Sequence, residues 1–256
     1  MKLNMKVIDV NLHLGYWPFQ KFEQDTAAKM VKHLKNENIG SGIISSTTAV
    51  FYPNPEFGNT EAYQQVKKYK HLHFVPIVNL RVNNWHEIIG RYSSVLCGIK
   101  VIPNYHWYSL ATDPRVDELC RKLIELKIPL LVHIRYEDRR SHHPLAKIPD
   151  TPWKDISEVA NKYPSLNIVA LSAYVPEARE LVKTTSNVYF DISSTENGDT
   201  LYNFVKTGVP AERILFGSHA PFYYIRSAYN KVLYSQITGE QKELVAYKNA
   251  EKVFNL

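Results

Sequence analysis

Three histidines stand where an imidazole could do chemistry. His13 and His133 each end a short apolar run, and His219 follows the Gly-Ser turn of Arg213-Ile-Leu-Phe-Gly-Ser-His-Ala-Pro-Phe222. Neutral imidazoles bind zinc, and a three-histidine site with an open position can activate water. Imidazole also titrates near neutrality, so these residues can act as acids or bases. A single histidine is more simply interpreted as a hydrogen-bonded structural group, but three at strand ends favour a site.

Further polar side chains follow strand-like segments and form a candidate substrate-binding set: Asn11, Arg81, Lys100, Tyr105, Arg135 and Arg139. Guanidinium groups bind carboxylates through paired hydrogen bonds, so this set predicts a small anionic substrate. The segment from Arg135 to Pro144 also contains Asp138 and His142, which we take as catalytic candidates beside His133 and His219. A solvated charged loop is the alternative for that segment, and core packing is the alternative for Tyr105 and its aromatic neighbours.

These residues need elements that bring them together, and strand-like and helix-like segments alternate along the whole chain. Eight such βα repeats within 256 residues predict an α/β fold, a (β/α)8 TIM barrel forming a single domain over residues 1–256. An open doubly wound sheet is the alternative, but no Gly-x-Gly-x-x-Gly follows the first strand. In such a barrel the active site lies at the carboxyl ends of the strands. The predicted strands are Lys6–Val10, Gly42–Ser46, Phe74–Leu80, Val95–Ile102, Pro129–Ile134, Asn167–Leu171, Val188–Ser193 and Arg213–Phe216.

Composition excludes several classes of protein. The 31 Lys and Arg are interspersed with 25 Asp and Glu, giving a net charge of +6 without a basic run of five, which argues against a nucleic-acid partner. No apolar stretch is long enough to span a membrane, and the stretch from Met1 to Asp9 lacks the apolar core of a signal peptide, so a cytoplasmic location is predicted. Self-association into a homo-oligomer is left open.

Five segments together resemble the amidohydrolase superfamily, in the amidohydrolase-related branch that includes aminocarboxymuconate-semialdehyde decarboxylase. Ile8-Asp-Val-Asn-Leu-His13 resembles the family's Asp-x-His-x-His opening, and Arg213–Phe222 resembles its eighth strand, where the family usually has Asp in place of His219. The other similar segments are Gly98–Pro103, Pro129–His133 and Lys248–Phe254. The resemblance spans essentially the whole chain and implies the same barrel.

The resemblance also implies a metal site, from which this sequence departs. In the family, two histidines of strand one, a histidine of strand five and an aspartate of strand eight hold a divalent metal, usually zinc, and a strand-six histidine assists. Here Asn11 replaces the first histidine, Ser172 lies near the strand-six position, and His219 replaces the aspartate, so only His13 and His133 are retained. A remodelled zinc site of His13, His133 and His219 stays open, but we favour a site without metal, in which basic side chains stabilise anions.

The resemblance and the polar strand ends together predict an enzyme. We expect hydrolysis of a lactone, amide or ester, or decarboxylation, of a small carboxylated substrate. One alternative is a barrel that has lost catalysis and binds an anionic ligand or partner. A further alternative is a zinc hydrolase with the remodelled three-histidine site.

Overall fold

In the computed structural model, which describes residue 3 and residues 5–256, eight parallel strands alternate with helices. The strands are β1 Ile8–Leu14, β2 Ser41–Ser46, β3 Leu72–Phe74, β4 Ile99–Val101, β5 Leu130–His133, β6 Ile168–Leu171, β7 Val188–Asp191 and β8 Ile214–Leu215. The helices are α1 Ala27–Asn36, α2 Glu56–Val66, α3 Trp85–Arg91, α4 Pro103–His106, α5 Pro114–Leu126, α6 Trp153–Lys162, α7 Val175–Thr184, α8 Thr200–Lys206, α9 Ile225–Leu233, α10 Gly239–Glu243 and α11 Asn249–Phe254. Short 3-10 turns at Thr48–Val50 and Ala211–Arg213 and a π turn at Leu244–Lys248 complete the chain.

Backbone hydrogen bonds join the strands into a ring. Strands β1 to β3 pair in order, as do β4 to β8. Between these two groups, Lys100 N–H donates to the carbonyl of Pro76 (3.0 Å) and Val78 N–H donates to the carbonyl of Lys100 (2.9 Å). On the other side, Val10 N–H donates to Phe216 (2.9 Å) and His13 N–H to Ala220 (2.8 Å). The predicted (β/α)8 barrel is thereby confirmed.

Several predicted boundaries differ from the observed ones. Most of the observed strands are shorter than the predicted ones. For example, the residues from Ile77 to Leu80 are buried, as predicted for a strand, but they lack continuous pairing with a neighbouring strand. Helix α1 is capped by Thr26, whose side chain accepts from Lys29 N–H, although the preceding Asp25 is also a residue type that commonly caps helices. Asp25 instead pairs with the Lys29 ammonium group at 2.7 Å.

Two residue layers alternate along the strands, as the period of two requires. Leu131, Val169 and Leu215 belong to the cluster that fills the barrel, which Val253 and Phe254 of α11 close. Their strand neighbours, such as Leu130 and Val132, pack outwards with the helices. His133 and Asp191 follow the inward residues Leu131 and Tyr189 by two positions, and Lys100 pairs with Leu131, so all three side chains point towards the barrel axis.

Strand β1 reaches the same end only through an irregularity. Ile8 and Val10 pack inside the barrel, whereas Leu12 and Leu14 pack outside with the helices. The pairing of β1 with β2 shifts register between Asp9 and Leu12, as a β-bulge does, and this shift exchanges the two faces of the strand. Asn11 and His13 therefore face the barrel interior.

The sequence predicts no membrane-spanning stretch and no signal peptide at the N-terminus. Within the described residues, no helix combines the length and the apolar character needed to cross a bilayer. Met1, Lys2 and Asn4, part of the stretch on which the absence of a signal peptide is predicted, lie outside the described residues.

The closed ring of strands leads to a stability prediction. Because each strand pairs with two neighbours around the barrel, loss of one unit removes support from the next, so we expect one cooperative thermal transition for the full chain. Calorimetry, together with limited proteolysis, tests this. A half-chain fragment that resists protease and keeps its own transition would contradict the predicted single domain.

Candidate active site

Three buried imidazoles meet at the carboxyl end of the barrel. His13 of β1, His133 of β5 and His219 beyond β8 are each 0% exposed. Each offers a ring nitrogen, and these nitrogens all lie within 4.8 Å of one another. His219 has a positive φ of 60°, a left-handed backbone conformation that is uncommon outside glycine and often marks functional sites. We call these residues the histidine cluster.

The hydrogen bonds of the cluster assign its tautomers. His219 Nε2 lies 2.6 Å from the carbonyl oxygen of Tyr136, so Nε2–H must donate and Nδ1 of the neutral ring is free to accept. His13 Nε2 lies 3.0 Å from that Nδ1 and 3.0 Å from Asn11 Oδ1, so it carries a proton shared between two acceptors. The remaining His13 nitrogen then accepts from the Tyr136 hydroxyl at 3.3 Å.

A second layer of polar groups fixes the base of the site. Asn11 Nδ2 donates to Asp191 Oδ2 at 3.0 Å, which sets the direction of its amide. The backbone N–H of Ser172 donates to the other Asp191 oxygen at 2.5 Å, and the Ser172 hydroxyl lies 3.4 Å from His133 Nε2. Gly217 is required beside this carboxylate, because an added Cβ would come within 2.6 Å of Asp191 Oδ2.

Burial controls the charge of the cluster. It lowers the pKa of His219 to about 3 and lowers the pKa values of His13 and His133 well below the usual range, the nearby Lys100 adding to the effect. Lys100, itself 2% exposed, donates from Nζ to Ser45 Oγ at 2.7 Å, and burial lowers its pKa to about 7. Near neutral pH the three imidazoles are therefore uncharged.

Aromatic rings cover the cluster on its outer side. Tyr136 stacks on His133 with ring centroids 4.0 Å apart, and Phe222 stacks on His219 at 4.7 Å. Trp17 lies over Tyr136 at 5.5 Å in a stacked arrangement. Since the imidazoles have no solvent exposure, this aromatic cover separates them from water.

An open cavity of about 480 Å³ adjoins the cluster. Its wall includes Asp138, Arg140, Ser193 and Tyr223. The Ser193 hydroxyl lies 3.2 Å from the Ser172 hydroxyl, and the Tyr223 ring lies 5.1 Å from the His219 ring. The cavity therefore approaches the histidines from the side of β6, β7 and β8, and we call it the mouth cavity.

Two predicted substrate-binding arginines have other partners. The Arg135 guanidinium is paired with Asp150 (3.2 Å) and Glu177 (2.5 Å) and also donates to the Ser172 carbonyl. Arg139 pairs with Asp150 at 2.9 Å. Acids from elsewhere in the chain thus pair with both arginines, and substrate binding by Arg135 and Arg139 stays a prediction.

The other candidates are distributed around the rim. Asp138 lines the mouth cavity but is held by Arg140 through two short bonds, the ion pair measuring 2.6 Å. His142 is half-buried in the loop, and within the described residues neither it nor Asp138 bonds to the histidine cluster. Arg81 and Tyr105 line a different cavity. Only Asn11 and Lys100 of the predicted binding set reach the cluster.

Three residues of the site were missed by sequence reasoning. Tyr136, Ser45 and Phe222 each contact the cluster or Lys100 directly. The strand period could have indicated Ser45, which lies near the end of β2. Tyr136 and Phe222 lie in loops, where no period predicts the direction of a side chain.

The cluster fits a divalent metal ion. The 3.0 Å between His13 Nε2 and His219 Nδ1 is about the separation of two adjacent ligands that each lie about 2.1 Å from one ion. Binding would displace the proton on His13 Nε2, which metal ligation requires of imidazole. Three imidazoles also suit zinc and its first-row neighbours as ligands.

Comparison with known proteins supports one family. A family model described as amidohydrolase matches residues 93–256. No curated protein matches the sequence.

Many solved structures share the fold. The 5-carboxyvanillate decarboxylase of Sphingomonas paucimobilis is 12% identical, with a TM-score of 0.77 and coverage of 98% of this chain and 99% of that one. A dihydroxybenzoic acid decarboxylase from Polaromonas sp. JS666, with bound manganese and the inhibitor 2-nitroresorcinol, is 15% identical, with a TM-score of 0.75 and coverage of 100% and 98%. A protein from Acinetobacter baumannii described as a probable 2-pyrone-4,6-dicarboxylic acid hydrolase, with citric acid bound, is 13% identical, with a TM-score of 0.68 and coverage of 98% and 100%.

The partners of Arg135 generate a stability prediction. Arg135→Met would leave Glu177 without its buried counter-charge and Asp150 with only the exposed Arg139, so the free energy of unfolding should fall by about 3–5 kcal/mol. Chemical denaturation measures this change. Arg139→Met is the matched control, because Arg139 is 69% exposed and its removal should cost less than about 1 kcal/mol. If Arg135→Met kept full stability and lost only substrate affinity, Arg135 would be a binding residue after all.

Proposed function

The chain belongs to the amidohydrolase family, and from that premise we propose that it is an enzyme that hydrolyses or decarboxylates a small carboxylated substrate at the histidine cluster. The observation that carries the proposal is the convergence of His13, His133 and His219, with ring nitrogens within 4.8 Å at the carboxyl end of the barrel. Burying three imidazoles and an amine together is costly for stability alone, and such departures from a stable core concentrate at functional sites.

We propose that these histidines hold one divalent metal ion. The spacing of His13 and His219 supports this, as does the manganese named for a decarboxylase of the same fold. A bound metal ion lowers the pKa of water and polarises a carbonyl oxygen, which serves hydrolysis, and it also orients a carboxylated substrate. Because the three imidazoles are neutral at pH 7, each ring has one unprotonated nitrogen, and ligation through His13 Nε2 requires its proton to leave that atom.

The chain itself supplies substrate binding. The mouth cavity, with Tyr174 and Tyr223 in its wall, would hold a substrate ring, and its wall also includes Ser193, whose hydroxyl lies 3.2 Å from that of Ser172. Lys100 is the buried amine beside the histidines, partly protonated near neutral pH because burial lowers its pKa to about 7. Ser45 is its only hydrogen-bond partner within the described residues, so its amino group retains donors for a carboxylate. Solved structures of the same fold are named for dihydroxybenzoate and carboxyvanillate decarboxylases, which supports an aromatic carboxylate as the substrate class.

The aromatic cover gives the reaction a dry environment. Tyr136 and Phe222 rest directly on the imidazoles, so a substrate would reach the cluster from the mouth cavity, past Tyr223, and not through these rings. Excluding water strengthens the attraction between a carboxylate and Lys100. Tyr136 also fixes His219 and His13 through its carbonyl and hydroxyl groups, which holds the ring nitrogens in place.

Metal content tests the role of the cluster. Protein that is stripped with a chelator and then dialysed against manganese or zinc should bind close to one ion per chain, measured by elemental analysis. His219→Ala should lose this ion, because two imidazoles remain and each lost ligand weakens binding. His143→Ala is the control, since His143 is exposed in the loop after β5.

Two outcomes would contradict the proposed role of the histidine cluster. Turnover that survives chelation, in protein that takes up no metal, would show that the histidines act without an ion. Unchanged turnover in His219→Ala would remove the cluster from the reaction and favour the non-catalytic barrel.

Substrate charge provides a second test. Lys100→Met keeps the length of the side chain and removes its charge, so KM for a carboxylated substrate should rise about 10–100-fold, the range for one charged hydrogen bond. Kinetics with the acid and its neutral amide measure this effect, and only the acid should be affected. Lys147→Met, at an exposed position, is the control. An equal increase in KM for the acid and the amide would show that Lys100 does not bind the carboxylate.

A further inference from the structure

The short segment that follows β4 carries an unusual tryptophan. Trp107 is 76% exposed and has a left-handed backbone with φ of 58°. A bulky side chain is rarely found with positive φ, and such strain persists only where neighbouring contacts maintain it. Trp107 is the left-handed C-cap of α4, where its backbone N–H donates to the Pro103 carbonyl, and the Arg81 guanidinium donates to the Trp107 carbonyl at 3.0 Å.

Arg81 itself is free of acidic partners. Within the described residues its side chain forms no ion pair. The positive charge of Arg81 helps to lower the pKa of Asp113, but Asp113 is bonded to Arg115 through two hydrogen bonds of 2.6 and 2.8 Å. One nitrogen of Arg81 is used by Trp107, so the remaining donors are exposed. The backbone N–H of Arg81 is anchored on Asn79 Oδ1 at 3.0 Å, which fixes the start of the side chain.

A buried histidine without a hydrogen-bond partner completes the set. His106 of α4 is 5% exposed, and neither ring nitrogen makes a hydrogen bond of acceptable geometry within the described residues, although the backbone of Val50 lies close to the ring. Buried polar atoms are normally paired, so unpaired ones indicate a missing partner such as a ligand. His106 lies in the wall of a cavity that Arg81 and Trp107 also line.

This cavity measures about 420 Å³ and has aromatic walls. Phe51, Tyr52 and Tyr105 line it together with Trp107, and no acidic side chain is among its wall residues within the described part of the chain. Tyr105 separates it from the aromatic cover, its ring centroid lying 5.7 Å from that of Tyr136. The cavity is therefore distinct from the mouth cavity, which lies on the side of β6 to β8.

We propose that this cavity is a second ligand site, which binds a planar aromatic carboxylate with its ring against Trp107 and its carboxylate on Arg81. The guanidinium supplies the paired donors that a carboxylate accepts. The indole and phenol rings supply stacking surface, and His106 supplies a polar contact at the inner end. This site is independent of the reaction proposed for the histidine cluster.

Benzoate is the probe for the test, with benzyl alcohol as its neutral counterpart and cyclohexanecarboxylate as its non-aromatic one. Titration calorimetry on the full chain should give benzoate binding at this site, and the fluorescence of Trp107, one of four tryptophans, should change with the same affinity. Arg81→Gln should raise the Kd of this site about tenfold or more, since a charged hydrogen bond is lost. Trp107→Phe should remove the fluorescence change.

Two matched variants separate this site from the catalytic one. Arg121→Gln, on the outer side of α5, should leave the binding unchanged. Lys100→Met should leave it unchanged too, even if benzoate also binds at the histidine cluster and that binding is lost. Benzoate affinity and Trp107 fluorescence that persist in Arg81→Gln would overturn the proposal, as would benzyl alcohol or cyclohexanecarboxylate binding as tightly as benzoate.

Discussion

The site depends on the hydrogen-bonding requirement of polar groups that have no access to water. Three imidazoles, an amine, a carboxylate and an amide lie buried together at the carboxyl end of the barrel, where their hydrogen-bond partners must come from the protein. Asp191 accepts from Asn11 and from the Ser172 backbone, and Asn11 in turn accepts from His13. Because this series starts at a carboxylate, which only accepts, the directions of the bonds from Asp191 through Asn11 to His13 follow from it.

This requirement explains local features that would otherwise count as irregular. The register shift in β1 turns His13 towards the barrel interior, and the left-handed backbones of Ser172 and His219 direct these residues into the same space. Left-handed conformations of non-glycine residues cost free energy, so they persist where the surrounding contacts hold them. Gly217 leaves room for the Asp191 carboxylate. The polar network is thus assembled by local conformations that each cost some free energy.

Ion pairs compensate the charges at the rim, whereas burial changes the pKa values of the basic groups in the interior. The arginines after β5 look available in the sequence, yet Asp138, Asp150 and Glu177 neutralise them. In the interior, burial rather than pairing keeps the histidines neutral and lowers the pKa of Lys100 to about 7. Within the described residues, Lys100 beside the cluster bonds only to Ser45 and the Arg81 side chain bonds only to Trp107, so both retain donors, and Arg81 also lines a cavity.

The sequence by itself determined the barrel and the strand ends that matter. Alternating apolar runs and helical periods are local properties, so eight βα units and the inward positions of Lys100, His133 and Asp191 follow from them. The family resemblance of the first and last segments likewise follows from the sequence alone. Tertiary structure alone decided which polar groups meet. Asp150 lies 15 residues from Arg135 and Glu177 lies 42 residues from it, so no period connects them. The β1 bulge, the rings of Tyr136 and Phe222, and the unpaired His106 are consequences of packing between distant segments, and local sequence carries no signal for such contacts.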